Sequence, residues 1–173
     1  VGGESVYPPL PPGVAQLSYA NNFKWAVSGG EDRYRRGLYT FFKRTSPHPN
    51  LITFDCPDSN VTCVKRNISN TPIAALATLN NSVFTDAAKA MAKRLIKEKD
   101  SDSERIAMGF QLCTARKPST READAFLALL KKAELYYQEN ETEAEAFNGD
   151  AEASAWATLT RIFLNLDEFI TRE

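Results

Sequence analysis

The chain has 173 residues, of which 43% are hydrophobic, 10% aromatic and 25% charged, a composition typical of a globular protein with a buried core. Its formal net charge of −1 excludes the strong overall field that draws basic proteins to nucleic acid. No apolar run approaches the roughly 18–20 residues that cross a bilayer. The charge is nevertheless uneven: residues 1–72 carry 8 Lys and Arg against 5 Asp and Glu, whereas residues 73–173 carry 13 against 17.

The N-terminal stretch is rich in proline and glycine. Four prolines exclude a helix and favour extended backbone without internal hydrogen bonds: Pro8, Pro9, Pro11 and Pro12. Such a strap is either a solvated linker or lies across another surface through Val6, Tyr7 and Leu10. We predict that residues 1–30 form an extended proline-rich and aromatic strap belonging to an incomplete domain. Residues 31–173 then form its helical C-terminal portion.

The next stretch combines one expected helix with an irregular segment. A helix is predicted from Asp32, a suitable N-cap, to about Arg44, because four apolar residues fall on one helical face: Tyr34, Leu38, Phe41 and Phe42. Pro47 and Pro49 end this helix. Residues 45–70 lack helical periodicity and are predicted to form an irregular loop belt, called the belt below. Short extended segments are expected within it at residues 51–54 and 61–64.

Helix signals follow one another after the belt. Thr71 and Pro72 open a short helix with an apolar face of Ile73, Leu76 and Leu79, and Asn81 caps the next helix. Two capping boxes, Ser101 with Glu104 and Ser119 with Glu122, open two more. A final helix is expected over residues 151–170, after a solvated loop at 139–150. The fold class predicted is mostly α, an antiparallel helical array of about five to six helices preceded by the strap and the belt.

His48 is the first catalytic candidate, because it is the single histidine and lies between two prolines on what is expected to be an exposed loop. An imidazole there can act as a base, and Asp55 is close enough in sequence to orient it. The simpler interpretation is a loop histidine bonded to backbone or water. Catalysis therefore depends on whether the fold brings His48 and Asp55 together.

The sequence alone does not decide whether the three cysteines are free thiols or form a disulfide. Cys56 and Cys63 lie in the belt, where a loop-closing disulfide is favoured in an oxidising compartment and two thiols otherwise. Their spacing does not match the usual zinc-binding pattern, so no metal site is predicted. Cys113 lies on the apolar face of a helix and is predicted to be a core residue.

Basic residues bracket the belt and form a candidate anion site: Arg33, Arg35, Arg36, Lys43, Arg44, Lys65 and Arg66. Sulfate, carboxylate or phosphate groups bind such clusters by charge-assisted hydrogen bonds, and the residues nearest the belt are the predicted ligands: Arg36, Lys43, Arg44, Lys65 and Arg66. The simpler interpretation is a solvated face on which Arg44 or Arg66 pairs with Asp55 or Asp58.

Four segments resemble the C-terminal planctomycete surface domain, an uncharacterised bacterial domain: SVYPPLPPGV, the stretch from YRRGLYTFF to AALATLNN, ARKPSTREADAF and WATLTRIFLNLDEFITRE. The combination of NTP-x-x-AL-x-x-LN with a terminal LNLDEF-x-TRE carries the resemblance. It covers only the C-terminal portion of that domain, so an N-terminal portion is expected elsewhere in the parent protein. Cys56 and Asn81 depart from the family pattern, which has a small residue and more often an aspartate there.

The resemblance implies an exported or surface-associated bacterial protein, periplasmic or at the cell surface, whose relatives often carry a cytochrome-c-type domain. Any haem then belongs to another part of the parent, and no cofactor is expected on this chain. An oxidising compartment favours the Cys56–Cys63 disulfide. The resemblance transfers no catalytic residues.

Three functional hypotheses follow. The first is a non-catalytic helical module whose segment Leu38–Asn81 docks on the N-terminal portion of the parent or on another protein chain. The second is part of an enzyme acting on an anionic surface polysaccharide, with Arg44, His48, Asp55 and Arg66 converging in a pocket. The third is a docking module for an attached c-type cytochrome. A glycan is a further partner to consider, whereas nucleic acid is not expected.

Overall fold

The computed structural model describes residues 2–10, 24–67 and 69–171, and 62% of these residues are helical. The described residues contain no β-strand, so the predicted mostly α fold class is confirmed. Two compact units are present: unit 1 comprises Val1–Ala77 with Asn81–Val83, and unit 2 comprises Thr78–Asn80 with Phe84–Glu173. Of the helices in the described part of the chain, none has both the length and the apolar composition needed to cross a lipid bilayer.

Eight α-helices occur among the described residues: α1 Pro49–Thr53, α2 Pro72–Asn80, α3 Ser82–Glu98, α4 Asp102–Thr114, α5 Thr120–Glu139, α6 Glu141–Asn148, α7 Ala151–Phe163 and α8 Asp167–Ile170. Most of them begin where the sequence predicts. Thr71 accepts a hydrogen bond from the Ala74 amide at 3.1 Å, Asn81 accepts one from the Val83 amide at 2.9 Å, and Ser119 forms a complete capping box. These caps are local in sequence and satisfy amide groups that no preceding turn can bond.

Helix α7 is the centre of unit 2. Trp156, Leu159 and Phe163 lie along one stripe of this helix and are almost completely buried. Helices α5 and α6 pack on α7, and α4 packs on α5, α7 and α8. Helix α3 adds Ala92 and Leu95 to the same apolar core. Each large apolar side chain buried here stabilises the fold by roughly 1.5–3 kcal/mol relative to its exposed form.

Two expectations for the C-terminal part were wrong. Residues 139–150 are not a loop but contain α6, because Ala144 is buried and the Phe147 ring stacks on the Tyr137 ring at 6.1 Å. The final helix is not continuous to residue 170. It ends at Phe163 and resumes as α8, and between the two the side chain of Asn165 accepts a hydrogen bond from the Thr78 hydroxyl at 2.5 Å.

The strap is held within unit 1 where it is described. The Val6 amide donates to the Tyr39 carbonyl and the Phe41 amide donates to the Val6 carbonyl, both at 2.8 Å, which forms an isolated parallel bridge. The Tyr7 ring stacks on Phe41 at 5.1 Å, and the Trp25 indole donates to the Pro8 carbonyl at 2.8 Å. Of the two alternatives for the strap, residues 2–10 thus lie across a surface. Pro11, Pro12 and the rest of residues 11–23 lie outside the described residues, and the boundary at residue 30 stays a prediction.

The helix predicted from Asp32 to Arg44 does not form. The segment contains two short 3-10 helices, Gly30–Tyr34 and Gly37–Tyr39, and continues in extended backbone. The reason is that the strap takes the hydrogen-bonding groups of Tyr39 and Phe41 that a continuous helix would use internally. A distant segment has therefore overridden a local helical pattern.

The belt also differs from the prediction. The expected extended segment at residues 51–54 is the helix α1, which begins because Pro49 suits a first helical position and the His48 side chain caps the Asn50 amide. The expected extended segment at 61–64 is irregular backbone without strand pairing. Helix α2 forms as predicted, but its buried residues are Ala74 and Thr78, so the face expected from Ile73 and Leu76 is exposed.

Candidate functional site

The belt lines an open cavity in the described part of unit 1, which we call the belt cavity. Its volume is about 660 Å³, within the range of roughly 300–1,000 Å³ typical of ligand pockets. Its walls consist of Phe42, Pro47, Leu51, Ile52 and residues 55–58 and 61–67. Helix α1 supplies one apolar wall and the irregular backbone after it supplies the other. The belt cavity is therefore built almost entirely from the segment that the sequence singled out.

The two carboxylates in the wall are held by uncharged donors. Asp55 has a φ of 54°, a left-handed conformation that aspartate tolerates better than most residues, and one of its oxygens accepts from the Ser69 amide at 2.8 Å and hydroxyl at 2.7 Å. Asp58 accepts from the amide of Asn60 at 2.9 Å and from its side-chain nitrogen at 2.6 Å. Both carboxylates thus stabilise the local loop.

The predicted anion ligands do not lie together. Lys65 and Arg66 line the belt cavity, with one Arg66 nitrogen donating to the Asp55 backbone carbonyl at 3.4 Å. Arg44 instead donates twice to the side-chain oxygen of Asn60, at 2.9 and 2.7 Å. Arg36 lines a separate hollow of about 520 Å³, and Lys43 is not in the wall of either. The carboxylate pairs that the simpler interpretation assigned to Arg44 and Arg66 do not form.

His48 is not on an exposed loop. The side chain is 2% exposed, its Nδ1 accepts from the Asn50 amide at 3.2 Å, and its Nε2 faces the Pro9 carbonyl at 3.2 Å. The Trp25 ring lies at 5.6 Å. This pattern requires the neutral tautomer with the proton on Nε2. His48 joins the strap to α1, and among the described residues it contacts neither Asp55 nor the belt cavity.

The buried histidine makes the stability of unit 1 depend on pH. Burial lowers the pKa of His48 from 6.5, partly offset by the Pro9 and Pro8 carbonyls. The unfolded chain therefore binds a proton more readily than the folded chain, so stability is full above about pH 6.5 and declines as pH falls through the lower folded-state pKa. We expect the NMR titration of this single histidine to lie below that of the urea-unfolded chain. A midpoint at or above the unfolded value would contradict the burial of His48, and His48→Gln should remove the contribution of this histidine to the pH dependence.

The thiols of the belt line the same cavity. Cys56 is half-buried, Cys63 is exposed, and both are free, with the Cys63 thiol donating to the Lys65 carbonyl at 3.3 Å. The structure therefore shows no disulfide, and the Cys56–Cys63 pairing stays a prediction. Cys113 packs against the core of unit 2 as expected. Burial raises the pKa of its thiol to about 11, which leaves little of the reactive thiolate at neutral pH.

Alkylation can distinguish these three thiols. We expect Cys63 to react fastest with iodoacetamide at neutral pH, Cys56 more slowly because it is half-buried, and Cys113 slowest. Peptide mass mapping over time gives each rate, and denatured protein provides the reference in which all three react alike. If Cys56 and Cys63 react only after reduction, the natural protein carries the disulfide. If Cys113 reacts as fast as Cys63, the packing described for α4 is incorrect.

Exposed apolar side chains are the feature that sequence periodicity did not identify. Among the described residues of Leu38–Asn81, six large aliphatic side chains are more than half exposed, and we call them the apolar surface: Leu38, Ile52, Val61, Val64, Ile73 and Leu76. Three of them, Ile52, Val61 and Val64, line the belt cavity. One sequence feature could have indicated this exposure. The belt has no periodic apolar pattern, so its valines do not form a face that could pack into a core. No cluster of three or more potential metal-ligating side chains is found in the described ranges.

Comparison with known proteins gives one family. Residues 1–130 match the model described as PSD1: Protein of unknown function (DUF1553). The chain belongs to the PSD1 family. The match covers about three quarters of the chain and includes every residue of the belt cavity, so the cavity is part of the PSD1 domain. No curated protein and no solved structure shows a significant match. The predicted resemblance to an uncharacterised domain is confirmed, and its planctomycete and cytochrome associations stay predictions.

Proposed function

We propose that the chain is a docking module of an exported, surface-associated bacterial multidomain protein. The segment Leu38–Asn81 binds another polypeptide, and the proposed partner is the N-terminal portion of the same parent domain. The observation that carries this proposal is the apolar surface. Val64 is 98% exposed and Leu38 is 81% exposed. Ile52, Val61 and Val64 are brought together in one cavity wall, and exposed aliphatic side chains that lie together in this way mark protein interaction sites.

The contacts of His48 favour docking over catalysis. A general base needs a free nitrogen within reach of a substrate proton. Both ring nitrogens of His48 are engaged, by Asn50 and Pro9, and Asp55 is bonded to Ser69. Recruiting His48 for catalysis would therefore remove the cap of α1. Docking requires no rearrangement, because the apolar surface is already presented.

The test is a titration of the chain with the N-terminal portion of the parent domain, produced separately. We expect Val64→Glu and Leu76→Glu each to weaken binding by about tenfold or more, because burying a side chain of this size is worth roughly 1.5–3 kcal/mol. Leu135→Glu is the matched control, since Leu135 is exposed on α5 outside the segment. Binding should also slow the alkylation of Cys63 and leave that of Cys113 unchanged. Absence of binding, or equal effects of all three variants, would refute the proposal.

A further inference from the structure

Cys56 and Cys63 lie in the wall of the same cavity but differ in how firmly their backbone is held. The Cys56 amide donates to the Leu51 carbonyl of α1 at 2.8 Å. Cys63 lies in a stretch, residues 62–67, that forms no backbone–backbone hydrogen bond with the described part of the chain. Cys56 is therefore the fixed member of the pair, and Cys63 can move at little cost in backbone hydrogen bonds.

The two thiols also differ in access to solvent. Cys63 is exposed, whereas Cys56 is half-buried. The Cys63 thiol donates to the Lys65 carbonyl at 3.3 Å, and this hydrogen bond is weak because a thiol is a poor donor. A reagent in solution therefore reaches Cys63 first, with Cys56 in the same cavity wall as the second thiol.

A bond between the two cysteines would change the apolar surface. The cysteines are not at disulfide-bonding distance in the structure, so the bond requires that Cys63 moves towards Cys56. Val61 and Val64, which are 69% and 98% exposed, lie within two residues of Cys63 in the chain. They move with Cys63 because consecutive Cα atoms are held about 3.8 Å apart. The bond therefore displaces two side chains of the apolar surface and narrows the belt cavity.

We propose that Cys56 and Cys63 form a reversible disulfide that controls docking. The chain docks while both thiols are free, and the disulfide weakens docking because it displaces Val61 and Val64. This inference rests on the proposed docking function and adds its regulation by thiol–disulfide exchange. Cys113 takes no part, because it packs against the core of unit 2.

The oxidant is an external disulfide, and glutathione disulfide serves as the probe. The Cys63 thiolate attacks one sulfur of the probe, which breaks the S–S bond, forms a mixed disulfide at Cys63 and releases one glutathione. The Cys56 thiolate then attacks the Cys63 sulfur and expels the second glutathione. The protein loses two protons and two electrons, and these convert glutathione disulfide into two molecules of glutathione.

The test measures binding of the N-terminal portion of the parent domain before and after treatment with glutathione disulfide. Peptide mapping should show a Cys56–Cys63 crosslink with Cys113 free. The dissociation constant should rise at least about tenfold and return to its first value after dithiothreitol. Cys56→Ser/Cys63→Ser cannot form the bond, so its affinity should be the same before and after the treatment. Cys113→Ser retains both belt thiols and should respond like the unsubstituted chain.

Thermodynamic reciprocity provides a second measurement. If the disulfide weakens docking about tenfold, docking must shift the thiol–disulfide equilibrium about tenfold towards the free thiols. Glutathione buffers of graded ratio, with and without a saturating amount of the N-terminal portion, measure this shift.

The proposal is overturned if Cys63 forms the mixed disulfide without the crosslink to Cys56, or if the oxidised and reduced chains bind equally. In the second case docking itself stands, provided that Val64→Glu weakens binding. If neither form binds the N-terminal portion, docking on it fails. The exposure of the Val61 and Val64 methyl groups to a soluble paramagnetic agent then tests the conformational change separately. It should fall on oxidation, and an unchanged exposure would show that the disulfide does not displace them.

Discussion

Replacing Phe163 with alanine is expected to lower the free energy of unfolding of unit 2 by about 3–5 kcal/mol. Phe163 has no exposed surface, and its ring forms edge contacts with Phe126 at 5.0 Å and Phe110 at 6.4 Å. Truncation removes both aromatic contacts and leaves a cavity that helices α4, α5 and α7 cannot fill without moving. This is the largest effect we expect from a single substitution.

Urea unfolding followed by circular dichroism measures this loss. Leu112→Ala is the control on α4, because Leu112 is 49% exposed and its truncation should change stability by about 0.5 kcal/mol or less. Phe163→Leu should recover much of the loss, since it keeps most of the apolar volume. A loss below about 1 kcal/mol for Phe163→Ala would show that the core is packed differently from the structure described here.

The second large effect is expected from Gly109→Ala, with a loss of about 1–3 kcal/mol. A Cβ atom at this position of α4 would lie 2.7 Å from Cε2 of Phe163 and 2.9 Å from Cδ1 of Leu95. Alanine is a better helix former than glycine by about 1 kcal/mol, so local propensity alone predicts the opposite sign. The steric cost of the added methyl group outweighs the gain in helix propensity, because Phe163 and Leu95 are both fully buried and have no free space into which they could move.

A double-mutant cycle checks the physical reason. Gly109→Ala should cost less in the Phe163→Leu background, because the ring atoms nearest the added methyl are then absent and only the contact with Leu95 remains. Gly29→Ala is the matched control, since an added Cβ there meets nothing within 4 Å. Additive effects of the two core substitutions, or a stabilising Gly109→Ala, would contradict the close approach of α4 to α7.

The candidate site could be predicted in part. The sequence placed Lys65, Arg66, Asp55 and the two belt cysteines in one irregular segment, and the structure places all of them in the wall of one cavity. The sequence could not show that His48 turns away from this cavity, because its partner is the Pro9 carbonyl, 39 residues earlier in the chain. For Val64 the sequence contained only an indirect signal, the lack of apolar periodicity in the belt, and its 98% exposure is visible only in the structure.

Most helices of unit 2 could be predicted from the amino-acid sequence alone. Their caps, such as the Ser119–Glu122 box, bond amides within the first turn, and the stripe of Trp156, Leu159 and Phe163 lies along a single helix, so the deciding interactions are local. The backbone conformation of unit 1 depends instead on contacts between segments that are distant in the sequence. There the pairing of Val6 with residues 39–41 replaces a predicted helix, because hydrogen bonds to a distant segment outweigh a propensity of a few tenths of a kcal/mol per residue. The belt cavity exists because that pairing and the buried His48 hold α1 and the belt in place.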